Sequence, residues 1–139
     1  MAKSKFSGLQ QWEAHGLQCL IREGHDCLNG YVKLPSPLAK KYESYDDVDL
    51  INLECHGGLT YGPNEDGWIG FDTAHWGDFW PDEELGKHAP NTLKSRKNLK
   101  ACGITSMWQE RHNTWTIERL KEEVESLARQ VKELAEKRC

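Results

Sequence analysis

Leu17-Gln-Cys-Leu-Ile-Arg-Glu23, Gly24-His-Asp-Cys-Leu-Asn-Gly30 and Tyr31-Val-Lys-Leu34 follow one another without a break, and their reading decides the fold class. The outer two segments have the composition and length of strands. The middle one holds Gly24 and Asn29-Gly30, residues that tolerate the positive φ of hairpin turns. Pro35 and Pro37 end the second strand, because proline has no N–H to give to a ladder. Further along, Ile51, Leu53, Cys55, Gly57, Leu59 and Tyr61 alternate with Asn52, Glu54, His56, Gly58 and Thr60. Such alternation predicts a strand with one buried face. Gly62-Pro-Asn-Glu-Asp-Gly67 predicts a turn, and Trp68-Ile-Gly-Phe-Asp-Thr73 the returning partner. The expectation is a small antiparallel β-sheet of hairpins.

Outward from this sheet the signals are uneven. Residues 1–16 are polar, with Phe6 and Trp12 scattered and Gly8 and Gly16 interrupting, which predicts a frayed start or a short helix. Residues 38–49 predict an exposed loop with room for one helical turn, and 74–113, rich in Trp, Gly, Pro and Asn, predict irregular chain. The C-terminus is regular. Ile117, Leu120, Val124, Leu127, Val131 and Leu134 recur in alternating steps of three and four, the a/d seam of a heptad. Thr114 or Thr116 can cap this helix, and Glu125→Arg129 and Glu133→Lys137 are favourable i,i+4 pairs. The seam can lie on the chain's own sheet. A strict a/d stripe is narrower than a core-facing helix usually presents, so a homo-oligomer paired through those six residues is the expectation. The class is therefore α+β: residues 1–113 as a small domain, and 114–139 as a long amphipathic helix of coiled-coil type for self-association.

The chain has 139 residues and 16.0 kDa, enough for one domain. A net charge of −4 argues against general nucleic-acid binding, which needs a basic face. Lys94-Ser-Arg96-Lys97-Asn-Leu-Lys100 is the local exception, a short basic cluster. Cys19, Cys27, Cys55, Cys102 and Cys139 are odd in number and lack a CxxC pair, so neither a disulfide framework nor a zinc ribbon is expected. No apolar leader or membrane-length window is present in the sequence, and the expected compartment is a reducing cytoplasm.

Two strings carry the chemistry: Cys55-His-Gly-Gly-Leu-Thr-Tyr61 and Gly70-Phe-Asp-Thr-Ala-His-Trp-Gly-Asp78. Gly57 and Gly58 leave backbone N–H groups unshielded, as an anion-binding turn requires. Asp72, His75 and Asp78 are spaced i, i+3, i+6, so one helical turn would set them on one side, with His56 joining from the neighbouring strand. Two imidazoles and two carboxylates could hold a divalent metal, with His56, His75 and Asp78 the candidate ligands, and a metal could activate water. Each group also has a structural reading: Asp72 and Asp78 as acceptors for turn N–H groups, His75 as a hydrogen-bonded scaffold residue. Trp68, Trp76 and Trp80 crowd the same stretch, and exposed aromatic faces there would suit a planar ligand such as a nucleobase. The candidate ligand-binding residues are thus His56, Gly57, Gly58, Trp68, Asp72, His75, Trp76 and Asp78; none is assigned a catalytic role.

His56-Gly-Gly-Leu-Thr60, Trp68-Ile-Gly-Phe-Asp-Thr-Ala-His-Trp-Gly-Asp78 and Glu125-Ser-Leu-Ala128 resemble a family of small bacteriophage and prophage proteins. The resemblance covers about residues 28–80 and 115–131, and it brings no activity with it. It implies a phage accessory protein acting in the host bacterial cytoplasm, of the kind that counters host defence. The expected partners are a nucleotide-like ligand or a host defence protein, bound by an oligomer without catalysis. A metal-dependent phosphoester hydrolase using His56, Asp72, His75 and Asp78 is the enzymatic alternative, and a coiled-coil adaptor the third.

Overall fold

The computed structural model of the chain describes residues 6, 8–24, 26–75, 77–101 and 113–138. Four strands make one antiparallel sheet in sequential order: β1 (Gln10–Ala14), β2 (Leu17–Glu23), β3 (Leu28–Lys33) and β4 (Trp68–Phe71). A β2–β3 hairpin forms as expected, with Cys19 opposite Val32 and Glu23 opposite Leu28, but its turn is shorter: Asn29 and Gly30, expected in the turn, pair with Arg22 and Ile21. The strand β1 replaces the expected frayed start. His15 and Gly16 both have positive φ, 53° and 77°, so the glycine that looked like an interruption is the turn joining β1 to β2.

A second correction concerns residues 51–61. They form no strand, and only Tyr61 makes an isolated bridge, to Gly70. After the helical turn α1 (Ser36–Ala39) comes a second, α2 (Val48–Ile51), capped by Asp47, whose side chain accepts from the Asp49 N–H at 3.2 Å. Leu50 is buried and Ile51 exposed, the reverse of what alternation predicts. Gly57 and Gly58, at φ 70° and 80°, then turn the chain out of extended conformation. The strand β4 instead pairs with β3, Gly30 opposite Phe71 and Lys33 opposite Trp68.

The stretch expected to be irregular holds β5 (Asp78–Phe79), α3 (Asp82–His88) and α4 (Pro90–Ala101). Glu23 fixes the start of α4 by accepting from the Thr92 N–H and hydroxyl at 2.9 and 2.7 Å. Arg96, from the basic cluster, donates to the carbonyls of Trp80 and Asp26 and pairs with Asp82. At least that one basic residue serves the scaffold. The two-residue strand β6 (Asn113–Thr114) then pairs in parallel with β5.

The final helix, α5 (Ile117–Arg138), packs on β2, β3 and β1. Thr116 caps it, accepting from the Arg119 N–H at 3.1 Å. Its seam is internal. Ile117, Leu120, Val124, Leu127 and Val131 are at most 2% exposed in a core shared with Cys19, Ile21, Leu28, Val32, Ile69 and Phe71, and Leu134 packs on the same core. The stripe expected to bind a second copy is covered by the chain's own sheet. The approach is close: a Cβ at Gly30 would come within 2.5 Å of Val124 and 2.8 Å of the Phe71 ring. Trp12 on β1 donates to Glu125 at 2.8 Å, so Glu125 serves the sheet, and Arg129 pairs with Glu133 at 2.9 Å.

The opposite face of the sheet carries a second cluster, in which Phe6, Leu20, Tyr31 and Trp68 are buried and Tyr61 packs against them. Phe6 lies edge-on to Tyr31 at 5.1 Å and stacks on Tyr61 at 5.4 Å, with the Arg22 guanidinium 4.1 Å from its ring centre. No helix among the described residues is long and apolar enough to cross a membrane. Cys19, Cys27 and Cys55 are free thiols; Cys102 and Cys139 lie outside the described residues.

Candidate functional site

His56 sits in the turn Cys55–Gly58, closed by a Gly58 N–H to Cys55 carbonyl bond of 2.9 Å. A side chain of α5 holds this turn in place. Gln130 accepts from the Glu54 N–H and donates to the Glu54 carbonyl, both at 2.7 Å, as a neighbouring strand would. Asp78 arrives from β5, and the β5–β6 ladder brings Asn113 and Trp115 beside it.

Asp78 is the centre of the arrangement. Its side chain is 1% exposed, a burial that needs full hydrogen bonding to be tolerated. One carboxylate oxygen accepts from Asn113 Nδ2 at 2.6 Å and Trp115 Nε1 at 3.0 Å. The other accepts from the His75 N–H at 2.9 Å and meets His56 Nε2 at 2.8 Å. Burial pushes the Asp78 carboxyl up, but the hydrogen bonds from Trp115, His56, Asn113 and the His75 backbone outweigh it and hold the carboxyl below its ordinary 3.8. The group is therefore a carboxylate, an acceptor only, and the proton in its bond to His56 belongs to Nε2. In neutral His56 the lone pair is then on Nδ1. The ring is 23% exposed, and no hydrogen bond to Nδ1 is formed among the described residues.

The remaining candidates gather around this pair. His75 lies edge-on to His56 with ring centres 5.3 Å apart, and its Nε2 is 3.2 Å from Asp72. Asp72 also accepts from the Ala74 N–H at 3.0 Å and the Thr60 hydroxyl at 3.1 Å, the turn-stabilising role open to an Asx residue. Gly57 is required here, since a Cβ would fall 2.1 Å from His75 Nε2, whereas Gly58 faces open space. Trp115, fully buried, supports the His56 ring edge-on at 4.9 Å, and Arg119 lies 4.1 Å over the Trp115 ring.

The structure thus brings together His56, Gly57, Asp72, His75 and Asp78, through turns rather than the expected helical turn. It does not bring Trp68 to them: that residue is 1% exposed, in the cluster with Phe6 and Tyr31. Trp80 is equally buried, donating to Thr73, so neither ring offers a stacking face. Trp76 lies outside the described residues. The acids and imidazoles pair off, Asp78 with His56 and Asp72 with His75, and no group of three or more His, Cys, Asp or Glu among the described residues is placed to hold a metal ion. Burial, with Glu123 adding to it, pushes the Cys55 thiol up to about 12, so the neighbour of His56 is not a ready nucleophile. The partners that sequence reasoning missed are Asn113, Trp115 and Gln130, which show no local pattern because they reach the site across 35, 37 and 76 residues.

The chain matches no protein-family model, and no curated protein or solved structure is detectably similar to it.

Proposed function

We propose that this chain is a non-enzymatic accessory protein that binds a small nucleotide-like ligand at the His56–His75 face. The observation that carries the reading is the four-donor carboxylate of Asp78 fixing His56 through Nε2. A fixed, partly exposed imidazole whose Nδ1 carries the lone pair accepts from a ligand hydroxyl or amine when neutral and donates to a phosphate oxygen when protonated. A ligand offering both chemistries is nucleotide-like. His75, edge-on to His56 at 5.3 Å, and the open backbone at Gly58 extend this face with polar groups. The paired arrangement of the four groups favours binding over metal-dependent hydrolysis. The resemblance to phage proteins supports the wider setting we propose with it, a counter-defence role in the bacterial cytoplasm. The seam residues of α5 are occupied within the chain, so a second copy would have to use another surface.

Calorimetric titration with a nucleoside monophosphate, the matching nucleoside and inorganic phosphate tests this. The reading expects the monophosphate to bind best, and His56→Ala to weaken it by about tenfold or more, as loss of a charge-assisted contact does. Equal binding by parent and His56→Ala, or none of the three binding the parent, contradicts it.

A further inference from the structure

A different surface, remote in chemistry from the imidazole site, carries the chain's exposed apolar groups. Among the described residues the large hydrophobic side chains left exposed are Tyr45, Val48 and Ile51, at 40%, 71% and 63%. Val48 and Ile51 stand i, i+3 on the short helix α2 and so share a side of it. Tyr45, three residues earlier, lines a shallow depression of about 370 Å³ whose other wall runs from Thr60 to Asn64.

The stretch of chain that carries these residues has charge of one sign. Residues 43–66 contain seven acids and neither Lys nor Arg, so this stretch is more negative than the whole chain at −4. Two of the acids are used internally: Asp47 caps α2, and Asp49 accepts from the Tyr42 hydroxyl at 2.8 Å. Glu43, Asp46 and Glu54 are exposed. Lys40 and Lys41 precede this acidic stretch in the chain. Apolar groups at the centre of a polar rim are the usual anatomy of a protein-binding surface, and an acidic rim selects the partner's charge.

We propose that Tyr45, Val48 and Ile51, rimmed by Glu43, Asp46 and Glu54, form a docking surface for a basic protein segment that presents apolar side chains, such as an amphipathic helix of Lys or Arg with Leu. The acids steer and orient the partner, and the three apolar side chains leave water when it docks.

A synthetic amphipathic helix of Leu and Lys, with its Leu and Glu counterpart as control, is the probe. Binding is read by fluorescence anisotropy at low and high salt. Val48→Ser/Ile51→Ser and Glu43→Lys/Asp46→Lys alter exposed side chains, so both variants should keep the parent's melting temperature. Each is expected to weaken the Leu–Lys helix by about tenfold or more, with salt weakening the parent likewise. Glu122→Lys/Glu136→Lys, on the exposed side of α5, is expected to leave binding within about twofold. The proposal is overturned if the patch variants bind as the parent does, or if the α5 variant loses as much. It is overturned equally if the Leu–Glu helix binds as well, or if the parent sediments as an oligomer that Val48→Ser/Ile51→Ser dissociates, which would make the patch a self-interface. Binding at the imidazole site is measured separately with His56→Ala, so the two proposals fail independently.

Discussion

At Asp78 one buried carboxylate meets four donors drawn from three separate stretches of chain, at residue 56, residue 75 and residues 113–115. Removing the acceptor strands all of them, and each buried group left without a partner costs about 1–3 kcal/mol. Asp78→Ala should therefore lose more than about 3 kcal/mol in urea unfolding. His56→Ala leaves Asp78 three donors and removes a partly exposed ring, so its loss should stay below about 2 kcal/mol. The acid range gives an independent reading of the same network. The folded carboxyl titrates below 3.8, so its stabilisation is complete above that value and is lost as pH falls through the folded pKa. Asp78→Asn should differ most from the parent near neutrality, and the gap should close below about pH 4. A gap that persists unchanged to pH 2 would show that the carboxylate's charge is not what the network uses. The spacing of Asp72, His75 and Asp78, with His56 beside them, named residues that do lie together, but it set the three on a helical turn and His56 on a strand, and turns hold them instead. The donors that make Asp78 an anchor were out of reach, because nothing local marks Asn113 or Trp115 as partners of residue 78.

Among the elements, those written in short-range signals were legible and those decided by tertiary contacts were not. The β2–β3 hairpin follows from its β-formers, although Asn29 and Gly30, expected in the turn, pair within the ladder opposite Arg22 and Ile21, and α5 follows from an uninterrupted heptad stripe. The alternation at 51–61 misled because Asp47 offers a helix cap just before it and two left-handed glycines follow within it. Strand β1 was missed because Gly16 is a turn residue in a two-residue hairpin loop, a role that depends on β2 being there to return to. The destination of the α5 seam was equally undecidable from the stripe alone: a sheet and a second helix both accept Leu and Val at that spacing. Gly30 is what lets the sheet win, since its missing side chain admits Val124. It follows that the seam is core. Leu127→Ala should cost about 2–5 kcal/mol, the range for a buried leucine whose site cannot collapse, and Leu127→Asp should unfold the domain. If Leu127→Asp instead yields a well-folded monomer by circular dichroism, the seam is not packed on the sheet.

As a whole, the molecule is a four-stranded sheet with α5 on one face and an aromatic cluster on the other. The imidazole site forms where the 54–58 turn, the 72–78 segment and β6 come together. The α+β class was readable because one hairpin and one long helix suffice to define it. The position of the site was not, since it depends on the parallel β5–β6 pairing and on Gln130 grasping the backbone of Glu54. The carboxylate of Asp78 is buried at 1% exposure, and the imidazole it holds is partly exposed at 23%. The protonation of the His56 ring decides whether Asp78 holds it in this way. A long-range proton–nitrogen correlation spectrum of the ¹⁵N-labelled protein, with His56 assigned by His56→Gln, reports which ring nitrogen carries hydrogen. Neutral His56 should be the Nε2–H tautomer with a bare Nδ1, and Asp78→Asn should release this preference. A neutral His56 carrying its hydrogen on Nδ1, or a tautomer indifferent to Asp78→Asn, would contradict it.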